Sequence, residues 1–137
     1  MAARLLIVAS AAISFALGVL HLLYTFGGQK FRPRDPELEA RLKAVSPVLT
    51  RQTTMWKAWI GFNASHSLGL LFFAAVYAYL ALGQSALLFG SIYLATVGGL
   101  FLGGYVVLAK RYWFSSALRG VALAAACYAA GFIASRM

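Results

Sequence analysis

His21 and His66 are the only histidines in the chain, and both fall inside long apolar runs. A neutral imidazole can donate and accept a hydrogen bond or ligate a metal. Inside hydrocarbon a polar group without a partner costs roughly several kcal/mol, so each histidine needs company. The stretch Trp56 to Gly69 provides some, with Asn63, Ser65, His66 and Ser67 in an otherwise apolar context. At helical spacing Trp59, Asn63, His66 and Ser67 share one broad face. The first run shows a matching stripe, Ser10, Ser14, Gly18, His21 and Thr25, at spacings of four, four, three and four. Both stripes are expected to face protein.

His21 lies about six residues from the end of its run, roughly 9 Å at the helical rise. His66 lies about seven to ten residues past the tryptophans, roughly 10 to 15 Å by the same rise. Arg119, within about two turns of the start of the last run, falls in the same leaflet. The candidate ligand-binding set is therefore His21, Tyr24, Thr25, Asn63, His66, Ser67 and Arg119, with Ser116 a further hydrogen-bond partner. Arg119 supplies fixed charge, the imidazoles donate or accept, and Asn63 orients them, a combination suited to an anion or a polar head. Two imidazoles on facing helices also match the axial ligands of a haem b, with Phe26 and Phe62 close in sequence for an apolar, aromatic pocket and Arg119 or Lys57 for its propionates. The plainer alternative assigns each histidine a hydrogen bond across a helix interface, and Arg119 a reach to lipid phosphate.

Most catalytic templates fail. No Asp or Glu occurs in any apolar run, which removes carboxylate bases, metal-carboxylate sites and an acidic proton relay. Cys127 is too far along the last run to join the histidines, and no phosphate-binding loop or clustered zinc pattern is present. An enzyme of lipid modification, with histidine as base, lacks a carboxylate to orient it.

The elements that must position these residues follow from composition. Of 137 residues, 62% are hydrophobic and 11% charged, the balance of a membrane protein with one domain. Four runs approach the ~20 residues needed to cross hydrocarbon. The expected fold is all-α, a four-transmembrane-helix antiparallel bundle with helices at about 4–27, 55–83, 86–109 and 113–135 and a short amphipathic surface helix at about 36–46. The first run, about 22 residues long, exceeds the ~7 to 15 of a secretory signal core and is kept as a span. One cysteine allows no intrachain disulfide. The net charge of +9 sits beside apolar runs, so lipid headgroups rather than nucleic acid are its expected counterions.

The one substantial loop, Gln29 to about Met55, holds all three acids together with Lys30, Arg32, Arg34, Arg41, Lys43 and Arg51. Asp35 before Pro36 predicts an N-cap with proline at the first helical position. Glu37 with Arg41 and Glu39 with Lys43 are i, i+4 pairs, and Leu38, Leu42 and Val45 form an apolar edge, so this helix is expected at the membrane surface. Ser46 and Pro47 end it and are expected to cap another helical stretch into the second span. Gly27 and Gly28 are expected to stop the first helix, Gly83 to Ser85 to reverse the chain, and Ser115 or Ser116 to cap the fourth. Gly98, Gly99, Gly103 and Gly104, and Ala122, Ala125, Ala126, Ala129 and Ala130, predict close-packing surfaces, while Trp56, Trp59, Tyr112 and Trp113 predict an interfacial belt. The basic residues from Lys30 through Lys57, with Lys110 and Arg111, outnumber Arg4 and Arg136 and predict both termini outside the cytoplasm.

Four segments carry a resemblance: His-Leu-Leu-Tyr-Thr-Phe from His21, Lys-Phe-Arg-Pro-Arg-Asp from Lys30, Leu-Thr-Arg-Gln-Thr-Thr-Met-Trp-Lys-Ala-Trp from Leu49 and Gly-Phe-Asn-Ala-Ser-His-Ser-Leu-Gly from Gly61. In these the chain resembles a family of small uncharacterised bacterial four-helix integral membrane proteins. The resemblance implies the four-span fold and a bacterial inner membrane; it implies no activity. Four function classes remain open: a polar intramembrane site for a small amphiphile, lipid headgroup or anion; a structural or accessory subunit that meets a membrane-protein partner or its own copies; an enzyme of lipid modification with histidine as base; and haem binding through His21 and His66.

Overall fold

The structure, a computed structural model, describes all 137 residues. It is all-α, with six helices and no strand: α1 (Ala2–Gly27), α2 (Pro36–Ala44), α3 (Met55–Gly83), α4 (Ser85–Gly90), α5 (Ile92–Tyr112) and α6 (Ser115–Ala134). α1, α3, α5 and α6 are long and apolar enough to cross a membrane, as in an integral membrane protein. Their exposed surfaces are themselves apolar, with Leu5, Phe15, Phe72, Leu82, Leu100 and Leu123 all turned outward. Such surfaces suit lipid and not water.

Local chemistry explains most boundaries. The Asp35 side chain accepts from the N–H of Glu37 at 2.9 Å, and Pro36 opens α2, as the sequence predicts. α2 stops at Ala44, where Val45 turns extended, and no helix forms from Ser46 to Thr54. The expected stretch leading into the second span is absent; instead Thr54 Oγ1 accepts from the N–H of Lys57 at 3.3 Å and starts α3 directly. The expected third helix is in two pieces. Gly90 is a poor helix former, and the extended Ser91 accepts from the N–H of Leu94 through its side chain, which ends α4 and begins α5. At α6 the N-cap is Phe114, without a side-chain bond, and Ser115 is the first helical residue. Gly27 and Gly28 do not use their special backbone freedom, since no glycine in the chain has positive φ.

The chain divides into two compact units. One comprises Met1–Leu17 with Leu70–Met137, the other Gly18–Gly69. The larger unit is built around Ile7, Phe73, Tyr77, Leu80, Leu88, Leu102, Ala124 and Tyr128. The hydroxyl of Tyr77 donates to the Leu94 carbonyl at 2.7 Å, and that of Tyr128 lies 3.1 Å and 3.0 Å from the carbonyls of Leu94 and Ala95. Gly98 is buried where these two hydroxyls converge, so its missing Cβ makes room for side chains and not for another backbone. Gly103 and Gly104 have open space instead. On α6 the buried positions are Val121, Ala124, Tyr128 and Gly131. Of the predicted alanines, Ala125 packs against the core, Ala122 and Ala130 are half-buried, and Ala126 and Ala129 are exposed.

Candidate functional site

The smaller unit, Gly18–Gly69, contains the last turns of α1, all of α2 and the first half of α3. Six of the seven expected site residues are in it: His21, Tyr24, Thr25, Asn63, His66 and Ser67. Arg119 belongs to the larger unit, where it is exposed on α6.

Helical spacing and short polar side chains build the site from the backbone outward. Thr25 Oγ1 donates to the His21 carbonyl at 2.8 Å, and Ser67 Oγ donates to the Asn63 carbonyl at 3.0 Å, both one turn back along their own helices. These bonds satisfy hydroxyls that hydrocarbon cannot. Asn63 is held in the same way, its Nδ2 donating to the Trp59 carbonyl at 2.8 Å. With the amide nitrogen occupied there, Oδ1 is directed at Nε2 of His21, 3.0 Å away. Because a carbonyl oxygen only accepts, His21 donates from Nε2, which in the neutral ring leaves the lone pair on Nδ1.

Aromatic rings enclose that bond. The His66 ring centre lies 5.0 Å from that of His21, with the planes tilted by 49°. On His21 also sits Phe31, at 4.5 Å, with Tyr24 presenting an edge contact to Phe31 at 6.1 Å. Trp59 ties Phe31 down: Nε1–H donates to the Phe31 carbonyl at 3.1 Å. Lys30 Nζ stands 4.3 Å from the centre of the Tyr24 ring, which makes it the cation of this unit placed against these aromatic rings. Lys30 and Phe31 are absent from the sequence-based set. The available signal was a lone aromatic residue in the basic run Lys30 to Arg34.

A haem b held by the two histidines does not fit this arrangement. With ligating nitrogens about 2 Å from a metal on either side, imidazole centres stand about 6 Å apart with the macrocycle between them. Here the centres are 5.0 Å apart, and Nε2 of His21 is engaged by Asn63. Phe26 and Phe62, expected to line its aromatic pocket, are 67% and 74% exposed. No group of three or more His, Cys, Asp or Glu side chains comes together to hold a metal ion.

The arrangement gathers an imidazole that donates to an oriented amide, a second imidazole against the first, and an ammonium on the Tyr24 ring. The group that orients His21 is an amide and not a carboxylate. No family model, curated protein or solved structure matches the chain.

Proposed function

We propose that the chain is a non-enzymatic integral membrane protein that binds the polar head of a small amphiphile, a lipid headgroup or an anion at the His21, Asn63 and His66 cluster. The observation that carries this reading is the bond from His21 Nε2 to Asn63 Oδ1, with His66 against the same ring, in helices otherwise apolar. Tyr24, Thr25 and Ser67 lie within about one helical turn of these residues, and Lys30, on the Tyr24 ring, supplies the fixed charge that favours an anionic head. The excess of Lys and Arg between α1 and α3 and at Lys110 and Arg111 supports an orientation with these loops in the cytoplasm and both termini outside. The site then faces the cytoplasm, and the bacterial family that the first half of the chain resembles supports an inner membrane.

The test uses the full chain in nanodiscs, titrated with short-chain phosphatidylglycerol, short-chain phosphatidylcholine and inorganic phosphate. Lys30→Gln is expected to weaken the anionic amphiphile about tenfold, ~1.4 kcal/mol, and the zwitterionic one far less. Competition by phosphate identifies the anion as the recognised part; its failure to compete identifies the amphiphile. If Asn63→Leu leaves all binding unchanged in a folded protein, the site is packing alone and the reading fails.

A second reading, an accessory subunit, is favoured by Gly103 and Gly104, where an added Cβ meets nothing within 4 Å. Exposed Leu100, Val107 and Leu108 surround them in sequence, a surface on which another chain's helix can pack closely. Under this reading Gly103→Leu abolishes co-purification with a membrane partner while His21→Ala and His66→Ala do not.

A further inference from the structure

α2 is turned the opposite way from a helix covering a water-soluble surface. At about 100° per residue, Leu38, Leu42 and Val45 share one edge, while Glu39 and Lys43 lie on another. The charged edge is the one engaged with its own unit. Glu39 Oε1 is 2.6 Å from Lys43 Nζ and 3.7 Å from Arg32 Nη1, and the Glu39 side chain is only 15% exposed. Lys43 Nζ also stands 5.3 Å from the Trp56 ring centre. Leu38 and Val45 are 46% and 51% exposed, Leu42 between them is partly covered, and no residue of α2 is fully buried.

The uncovered edge continues past the helix. The N–H of Thr50 donates to the Pro47 carbonyl at 3.2 Å, and the N–H of Met55 returns to the Val45 carbonyl at 2.8 Å. Thr50 Oγ1 accepts from the N–H of Gln52 at 3.1 Å. These bonds define a built turn with Val48 and Leu49 at its tip, both almost completely exposed. Exposed Arg41 borders the apolar edge of α2, and exposed Arg51 follows the tip. Of the nearby acids, Asp35 caps the helix, Glu39 is paired with two cations, and Glu37, exposed on the flank away from the apolar edge, does not form the expected ion pair with Arg41. The surface is therefore apolar with a cationic border.

We propose that the edge formed by Leu38, Val45, Val48 and Leu49 docks on the anionic lipid interface of the membrane that α1 and α3 cross. Charge decides for lipid: a bilayer with acidic headgroups offers an apolar layer and the negative charge that Arg41 and Arg51 need, in one surface. Both ends of the segment are tied to that interface, since it leaves α1 at Gly27 and enters α3 at Met55. The inference rests on a different face from the His21 cluster and does not depend on what that cluster binds.

The experiment uses the full chain carrying Cys127→Ala, which removes the only cysteine, so that one introduced thiol takes an environment-sensitive fluorophore. Leu49→Cys and, separately, Val48→Cys report the tip, and Glu37→Cys reports the flank of α2 away from the edge. In phosphatidylcholine nanodiscs with added phosphatidylglycerol, both tip labels are expected to shift to the blue and to be quenched by lipids spin-labelled near the headgroup. The shift grows with the phosphatidylglycerol fraction and shrinks with salt, while the Glu37→Cys label keeps an aqueous emission. Tip labels that stay aqueous and open to iodide in anionic discs overturn the proposal. So does shielding that appears only as protein concentration rises, whatever the lipid, because the edge then meets a second copy.

Discussion

Nε2 of His21 and Oδ1 of Asn63 are 3.0 Å apart, joining residues separated by forty-two positions in the chain. Asn63 reaches this position because its own Nδ2 is fixed on the Trp59 carbonyl. The amide therefore sets the tautomer of His21, and its removal has a defined consequence.

Asn63→Leu leaves the His21 N–H without its acceptor in an apolar setting. The expected loss of stability is about 1 kcal/mol, within the usual range for hydrogen bonds between helices in membranes. Asn63→Asp is not a conservative rescue, since it adds a charge to hydrocarbon. Reversible unfolding in mixed micelles measures the effect; an Asn63→Leu protein as stable as the parent rules out a bond that contributes net energy.

The larger unit supplies a contrast between glycines of one helix. A Cβ at Gly98 overlaps the hydroxyls of Tyr77 and Tyr128, whereas one at Gly103 meets nothing within 4 Å. Gly98→Ala is expected to destabilise by about 1 to 3 kcal/mol, the usual cost of overpacking. Gly103→Ala is expected to be neutral or slightly stabilising in the isolated chain, because alanine is the better helix former. Tyr128→Phe should recover part of the Gly98→Ala loss. Thermal unfolding of the two single variants and the double variant decides this, and equal behaviour at the two glycines would contradict the packing described.

Glu39 carries the pH dependence of α2. Its hydrogen bond to Lys43 holds the carboxyl below the usual value of 4.5, with the charges of Lys43 and Arg32 acting in the same direction. A lowered pKa means that the folded state prefers the ionised form. The contribution is therefore present above the usual glutamate value and is lost as pH falls through the lower folded value. Hydrogen exchange or proteolysis across residues 35 to 45 should show α2 loosening only in that acidic window. Glu39→Gln should show the loosened state already at neutral pH, and the difference between the two proteins should vanish in acid. A parent and variant that differ equally at all pH values would assign the effect to shape and not to charge.

Four apolar runs, one of them interrupted at Gly90 and Ser91, were legible without coordinates because crossing a membrane is a condition on length and composition. The Asp35 and Pro36 start of α2 was equally legible, being chemistry within a single turn. So was the inward stripe of α1, on which Ser10, Ser14, Gly18 and Thr25 are all buried. Periodicity tells which residues share a face; it does not tell which faces meet. In a lipid-facing protein this gap is wider than usual, since the outer surface is as apolar as the core and the pattern cannot separate Ala124 from Ala126. Folding alone brought Asn63 to His21, placed Phe31 of a basic loop on the imidazole, and set Arg119 in a different unit from the histidines. Each of these depends on how one helix or loop is rotated about another, and packing and hydrogen bonds between elements distant in sequence set that rotation.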